Sequence, residues 1–514
     1  MAAPRLCTSI ARELDSEMRP DQIAALTLTE AAAKVRSGAL TSTQLTKACL
    51  DRIRTYNPKL DAFITVLGDQ ALAQALQLDK EARAGKFRGP LHGVPIALKD
   101  NIDTAGIRTT AASMVYDDRV PTEDAEVTRR LAADGSVCIG KTNLDEFADA
   151  VSYFGSARNP WGLDRDPSGS SSGSASAVSA TLTYGALGTD TGGSIRLPAA
   201  YCGIVGIKPT YGLVPTRGIV PLVVSLDHCG PMTRSVADAA LMLNSLAGYD
   251  KLDIISVEHP KEDYVAAMGQ PVSGLRLGIP RAPYYDHLDA DTAKAVETAI
   301  SVLSKMTKSV KDVSLPSVAA YTWIDLNSIG QEVYAYHEDL FKNREPRYGL
   351  SLRLQLQQMR DSLDSTTSAC STKVSNYIRH RWDLTLLRRT VDDAFNDFDL
   401  VVVPTLRIIP EKLSLVIERQ EHPKPHNPET IDLDNCTPFN VYGLPAISVP
   451  CGFARDGMPI GLMIAGPHFS EGKIFALAHA YEQETKWDLR RPPLTPDMTV
   501  PPIRPATDES ATER

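Results

Sequence analysis

Lys99, Ser170 and Ser194 are the residues whose types and settings suit covalent chemistry. A serine hydroxyl attacks poorly until a base takes its proton. A lysine amine can be that base only when neutral, which burial or nearby positive charge brings about. A second serine can stand between them, because a hydroxyl both donates and accepts. Ser194 ends the run Thr191-Gly192-Gly193-Ser194, whose successive N–H groups could aim at one point. That arrangement suits the oxyanion of a tetrahedral intermediate. The three side chains lie far apart in sequence, so only a fold can assemble them.

The elements that would do so are visible. From Asp166 to Pro198 the chain reads DPSGSSSGSASAVSATLTYGALGTDTGGSIRLP, two serine-bearing, glycine-rich turns around a helix-like run from Ala175 to Ala186. So few large side chains let backbone approach backbone or ligand. A flexible Gly/Ser linker has similar composition, but here Ile195-Arg196-Leu197-Pro198 and a further apolar segment follow at once. Lys99 closes the stretch from Leu91 to Asn101, which reads as a buried strand. Lysine is rarely buried without a task; the alternative is an edge lysine whose ammonium reaches solvent.

The rest of the 514 residues, 43% hydrophobic and 23% charged, reads as an ordinary globular chain. A net charge of -9 argues against a nucleic-acid surface. Eight scattered cysteines without a C-x-x-C pair suggest reduced, buried thiols. With no long apolar run, the expectation is a cytoplasmic protein, away from membranes and a monomer or homodimer. Residues 1–25 are polar and expected to be loosely attached. The stretch Thr41-Ser42-Thr43-Gln44 fits a capping box for a helix that Asn57-Pro58 should stop. Helices are expected at about 69–84, 126–133, 236–246, 290–306, 318–343, 349–362, 366–397 and around 474–481. Strands are expected near 136–139 and 275–279. The unbroken apolar run Leu400–Thr405 reads as a strand buried on both faces, and 409–430 as a surface loop. A hairpin is expected around Asp456-Gly457. The proline-rich tail, 491–514, reads as disordered. Strands alternating with helices throughout predict an α/β fold, one large mixed sheet covered by helices, over residues 26–490.

Two patterns mislead. Gly135, Gly140, Lys141 and Thr142 fit the phosphate-loop spacing, but Val137, Cys138 and Ile139 fill the loop and look like a strand. Gly169-Ser170-Ser171-Ser172-Gly173 fits the nucleophile elbow and would make Ser171 the nucleophile. An elbow must end a buried strand, and the turn-rich residues 159–167 do not provide one. Nothing has metal-ligand spacing, so neither a metal nor a cofactor is expected.

The segments GVPIALKDNID, PSGSSSGSASAVSA, GTDTGGSIRLPAAYCGIVGIKPTYG, SLDHCGPMTRSVADAA and GLPAISVPCGF together resemble the amidase signature family of serine hydrolases, over about Leu28 to Pro493. The resemblance implies a mixed sheet of about eleven strands with helices on both faces. It implies that Lys99 is the base, Ser170 a bridging serine after a cis peptide bond, and Ser194 the acylated nucleophile. The N–H groups of Thr191, Gly192, Gly193 and Ser194 would form the oxyanion hole, with Asp190 and Arg196 holding that turn. The expected substrate is a small carboxamide; esters and carbamates share its tetrahedral geometry. Ser168 and Ser172 stand where the family mostly has glycine, which would strain any backbone needing positive φ. The acyl pocket would be lined by about residues 310–400, where Tyr321, Trp323, Tyr334 and Tyr336 lie. Some family members are free-standing amidases, others the glutamine-hydrolysing component of an aminoacyl-tRNA amidotransferase. The stretch from Pro215 to His228, PTRGIVPLVVSLDH, resembles the free-standing group. A catalytically silent binding protein on this fold would not need all three polar residues.

Overall fold

The computed structural model describes residues 18–318, 330–364, 374–421 and 435–503. Its strands are β1 (Phe63–Val66), β2 (Pro95–Lys99), β3 (Val137–Thr142), β4 (Gly185–Asp190), β5 (Val205–Lys208), β6 (His228–Thr233), β7 (Arg276–Ile279), β8 (Ser309–Asp312), β9 (Leu400–Pro404), β10 (Ala446–Phe453) and β11 (Pro459–Ala465). All eleven join one mixed sheet in the order β1-β3-β2-β4-β6-β5-β10-β11-β9-β7-β8.

The unbroken apolar strands are explained by burial on both faces. Leu400 and Val402 of β9 pack with Ile447, Val449, Leu462 and Ile464 in one core. The alternate residues Val401 and Val403 pack with Phe439, Tyr442 and Met463 in another. Successive side chains point to opposite faces, so a strand covered twice has no polar side. Helices cover both: Ala290–Met306 and Glu471–Thr485 supply one core, and Thr437–Tyr442 the other.

β2 lies parallel between β3 and β4. Three carboxyl ends therefore finish together, at Thr142, Lys99 and Asp190. Open α/β sheets place their ligands beyond such ends. The run of small residues divides differently from expectation. Ser172–Ser179 is the helix, a turn follows, and Gly185 and Ala186 already belong to β4. Small side chains suit both, because the helix must press against the strands it follows.

Other expectations change in detail. The Thr41–Gln44 capping box forms, but its helix runs from Ser42 to Leu60 through Pro58 and stops at Asp61, whose φ is 48°. Asn57, rather than ending it, holds the next strand by accepting from Phe63 N–H at 2.8 Å. Within 1–25, Pro20–Ala25 is helical with Ile23 and Ala24 buried, because those two apolar side chains reach the core. The tail is ordered as far as it is described. Lys59 Nζ donates to Met498 O at 2.7 Å, and Leu494, Met498 and Val500 pack on the core. The expected 409–430 loop contains a helix, Leu413–Glu421. Tyr334 is buried in a satellite core and Tyr336 Oη meets Tyr116 Oη at 2.9 Å; Tyr321 and Trp323 lie outside the described residues. Among the described residues no helix is long and apolar enough to cross a membrane. The six described cysteines are free thiols.

Gly173 is where the Ser172–Ser179 helix meets the sheet. A Cβ there would lie 2.4 Å from Ala62 O and 2.5 Å from Asn143 N, both backbone atoms that cannot step aside. Gly173→Ala should therefore cost about 1–3 kcal/mol, as overpacking does, read from the denaturation midpoint. An unchanged midpoint would show that the helix can shift freely.

Candidate active site

Lys99 ends β2 with no exposed surface. Its Nζ lies 2.8 Å from Ser170 Oγ and 2.8 Å from Thr189 Oγ1. Thr189 comes from β4, the parallel neighbour, and its hydroxyl also accepts from Asn101 Nδ2 at 3.2 Å. Burial pushes the Lys99 amine well below the ordinary lysine range, against a weaker pull from Asp145, Asp190 and Asp227. Both groups in hydrogen-bond reach of it are hydroxyls. A charged ammonium would donate to each; a neutral amine can also accept the Ser170 proton on its lone pair.

Ser170 is delivered by the turn before the Ser172–Ser179 helix. The Gly169–Ser170 peptide is cis, as the resemblance implies, and Ser168 has φ 61°. Of the two departures from glycine, Ser168 thus sits in the left-handed region, which costs a non-glycine residue about 1 kcal/mol. Ser172 does not; it opens the helix with ordinary backbone. Ser171, the residue that fits the elbow pattern, is buried against β4. Its Oγ donates to Thr189 O at 3.2 Å and accepts from Thr189 N at 3.3 Å. It pins the turn to the strand.

The turn after β4 is clamped on every side. Thr191 Oγ1 donates to Asp227 Oδ1 at 2.5 Å, and Thr437 Oγ1 donates to Gly192 O at 3.0 Å. Ser171 N donates to Ser194 O at 3.3 Å, tying the two serine turns together. Asp190 is the hub. It accepts from Gly193 N at 2.8 Å, Ile195 N at 3.2 Å, Arg196 Nε at 2.9 Å and Asn440 Nδ2 at 2.8 Å. Arg196 and Asp190 are both without exposed surface. Burial pushes the Asp190 carboxyl up, but the Arg196 charge and hydrogen bonds, with Lys208 and Asn440, more than reverse this and hold it well below the usual range.

One expected donor is thereby spent. Gly193 N–H belongs to Asp190, so the turn has three N–H groups without an acceptor among the described residues: Thr191, Gly192 and Ser194. Gly193 serves by its shape instead. Its φ is 135°, and a Cβ would lie 2.7 Å from Cys436 Cβ and from Leu197 Cγ.

Ser170 and Ser194 open into one cavity of about 290 Å³. Leu413, Val416 and Ile417, from the helix that stands where a loop was expected, form part of its wall. Asp145, Asp149 and Asp166 also line it. Among the described residues none from 310–400 does. Thr189, Asn440 and Asp145 are further site residues that sequence reasoning passes over. The first two lie inside the quoted GTDTGGS and just before GLPAISV, so their segments carry a signal; Asp145 carries none. The phosphate-loop pattern is structural: Lys141, on β3, donates to Ile102 O and Thr109 Oγ1, each at 2.7 Å.

Removing one member of a buried ion pair strands the other. Arg196→Ala should therefore lower stability by about 3–5 kcal/mol. A loss below about 1 kcal/mol in denaturant unfolding would mean that the turn does not depend on the pair.

A model of the family described as Amidase matches residues 44–475. The chain is 38% identical to the A subunit of a glutamyl-tRNA(Gln) amidotransferase from Geobacter sp. (strain M21), over 91% of this chain and 99% of that one. The native peptide amidase of Stenotrophomonas maltophilia superposes with a TM-score of 0.75 at 34% identity, covering 92% of this chain and 99% of the other. The A subunit of the Thermotoga maritima glutamyl-tRNA(Gln) amidotransferase superposes with a TM-score of 0.71 at 32% identity, covering 90% and 95%. With the family match running through most of its length, the chain belongs to the amidase (amidase signature) family.

Proposed function

We propose that the chain hydrolyses carboxamides through an acyl-enzyme on Ser194. The observation that carries this is the buried Lys99 amine, 2.8 Å from Ser170 Oγ, with Ser170 and Ser194 opening into the same cavity. Ser194 Oγ attacks the amide carbon while its proton passes to Ser170, whose own proton passes to Lys99 Nζ. The oxyanion collects at the N–H groups of Thr191, Gly192 and Ser194, an interaction worth on the order of 10²–10³ in rate per donor. Collapse breaks the C–N bond, and Lys99 returns the proton through Ser170 to the leaving nitrogen. Water then attacks the ester by the same relay, releasing carboxylate and restoring Ser194.

Two readings share this chemistry. The 38% identity to an amidotransferase component, over nearly the whole length of both chains, favours a glutaminase that passes ammonia to partners. The cavity favours a free-standing amidase: no lysine, arginine or histidine is among the described residues that line it, so the α-carboxylate of glutamine would face three carboxylates unpaired. The stretch from Pro215 to His228 points the same way. On the site chemistry we take the free-standing reading. The chain purified alone should hydrolyse simple amides; turnover of glutamine only, and only with partner proteins added, would establish the other.

A fluorophosphonate probe should label Ser194, and Ser194→Ala should abolish both labelling and turnover. Ser170→Ala should cost about 10²–10⁴-fold by cutting the relay. Ser171→Ala should stay within about tenfold, since its hydroxyl only pins the turn. An adduct on Ser171 with none on Ser194 would overturn the assignment.

Lys99 works only when unprotonated, so kcat/KM should fall on the acid side as Lys99 gains its proton. The limb should lie well below the ordinary lysine range. Lys99→Ala should remove that limb along with most activity while leaving the fold; a variant with wild-type turnover would make Lys99 structural.

A further inference from the structure

We propose, resting on the amidase reading above, that the substrate carries a protonated amine on a short aliphatic chain. The cavity that holds Ser170 and Ser194 has two unlike sides. Leu413, Val416, Ile417 and Leu197 are apolar, and Asp145, Asp149 and Asp166 are carboxylates. No cation among the described residues lines the cavity to balance them. Arg419, near Asp166, is spent on Glu411 at 2.5 Å. A partly desolvated carboxylate without an ion-pair partner is costly, and an ammonium arriving with the substrate supplies that charge.

The three carboxylates are unequal. Asp166 accepts from the backbone N–H of Ser168, and Asp149 from the Gln355 side chain. The Asp145 carboxylate takes no hydrogen bond from any described residue. It lies against the catalytic turn: a Cβ on Gly169 would be 2.1 Å from Asp145 Oδ2. Burial pushes all three carboxyls up; at Asp145 the Asp166 charge pushes further, while the Lys99 amine behind Ser170 pulls the other way. Among the described residues no group of three His, Cys, Asp or Glu converges on a metal position. The carboxylates are spread along the cavity, an arrangement that suits an organic ammonium with several donors. Asp145 abuts Gly169 in the turn that carries Ser170, and Asp149 lines the same cavity from the same segment.

The test is a matched amide series assayed with the whole chain: 6-aminohexanamide, hexanamide and the monoamide of adipic acid. They differ only in a terminal ammonium, methyl or carboxylate. A second pair, N-(5-aminopentyl)acetamide and N-pentylacetamide, puts the charge on the leaving amine. In one of the two series the ammonium amide should exceed its neutral partner by about tenfold or more in kcat/KM. The preference should shrink as ionic strength rises. The acid-terminated amide should be the poorest. In Asp149→Asn and Asp145→Asn the ammonium-to-methyl ratio should fall about tenfold, whatever the absolute rates do.

Equal or better turnover of the neutral and anionic amides, with Ser194 still labelled by the fluorophosphonate, would overturn this inference alone. No turnover of any amide and no labelling would instead sink the amidase reading beneath it. A pH profile displaced equally for every amide in Asp145→Asn, with the ratio unchanged, would show that the carboxylate tunes Lys99 and does not bind substrate.

Discussion

A buried lysine amine with only hydroxyls in hydrogen-bond reach is the constraint on which this site depends. Among the described residues three lysines lose all their exposed surface, and their surroundings differ. Lys141 lies 3.5 Å from Asp100 and donates to a backbone carbonyl and a hydroxyl. Lys208 donates to Pro209 O and Leu444 O, groups that can only accept, and meets His228 Nε2 at 3.2 Å. Lys99 alone of the three has only hydroxyls in hydrogen-bond reach, those of Ser170 and Thr189. Burial pushes all three amines down, Lys208 included; what sets Lys99 apart is that hydroxyls can donate to a neutral amine as well as accept from an ammonium. The sheet supplies that desolvation by placing Lys99 at the end of β2, between two parallel neighbours.

The second half of the site follows opposite logic. Where Lys99 meets only two hydroxyls, Asp190 is over-supplied with donors, from two backbone N–H groups, Arg196 and Asn440. A charge so well paired cannot act as acid or base, but it fixes the curvature of a turn. That fixed curvature leaves three N–H groups without acceptors among the described residues, and on the proposed mechanism these are the preorganised dipoles that acyl transfer needs. The clamp consumes Gly193 N–H, and the same glycine supplies a backbone conformation no other residue takes comfortably. The site thus pairs a rigidly held turn with a buried amine that faces hydroxyls, the arrangement on which the proposed proton relay rests.

Much of this is legible in the sequence because the relevant signals are local. Burial on both faces makes β9 an unbroken apolar run, and the capping box at Thr41 and Gln44 forms as spelled. The dearth of large side chains from Asp166 to Pro198 announces close packing, although the helix ends, and β4 begins, earlier than composition suggests. What cannot be read locally depends on contacts across the chain. The helix Leu413–Glu421 is flanked by prolines and charges that suggest a loop, yet Leu413, Val416 and Ile417 recur at helical spacing and face the cavity. That Gly193 N–H is spent on Asp190 is a matter of where one carboxylate swings. The patch of Asp145, Asp149 and Asp166 is scattered over two loops and gathers only when the turn before Ser170 folds back. The tail reads as disordered by composition, but Leu494, Met498 and Val500 find the core.

The central claim is that Lys99 rests as a free amine when the enzyme works. The direct measurement is a pH titration of the chain with 13C-labelled lysine side chains, following the ε-carbon signal that Lys99→Arg removes. The account predicts that this signal titrates well below the ordinary lysine range, on the same limb as kcat/KM. A Lys99 signal that stays protonated throughout the active pH range would contradict it.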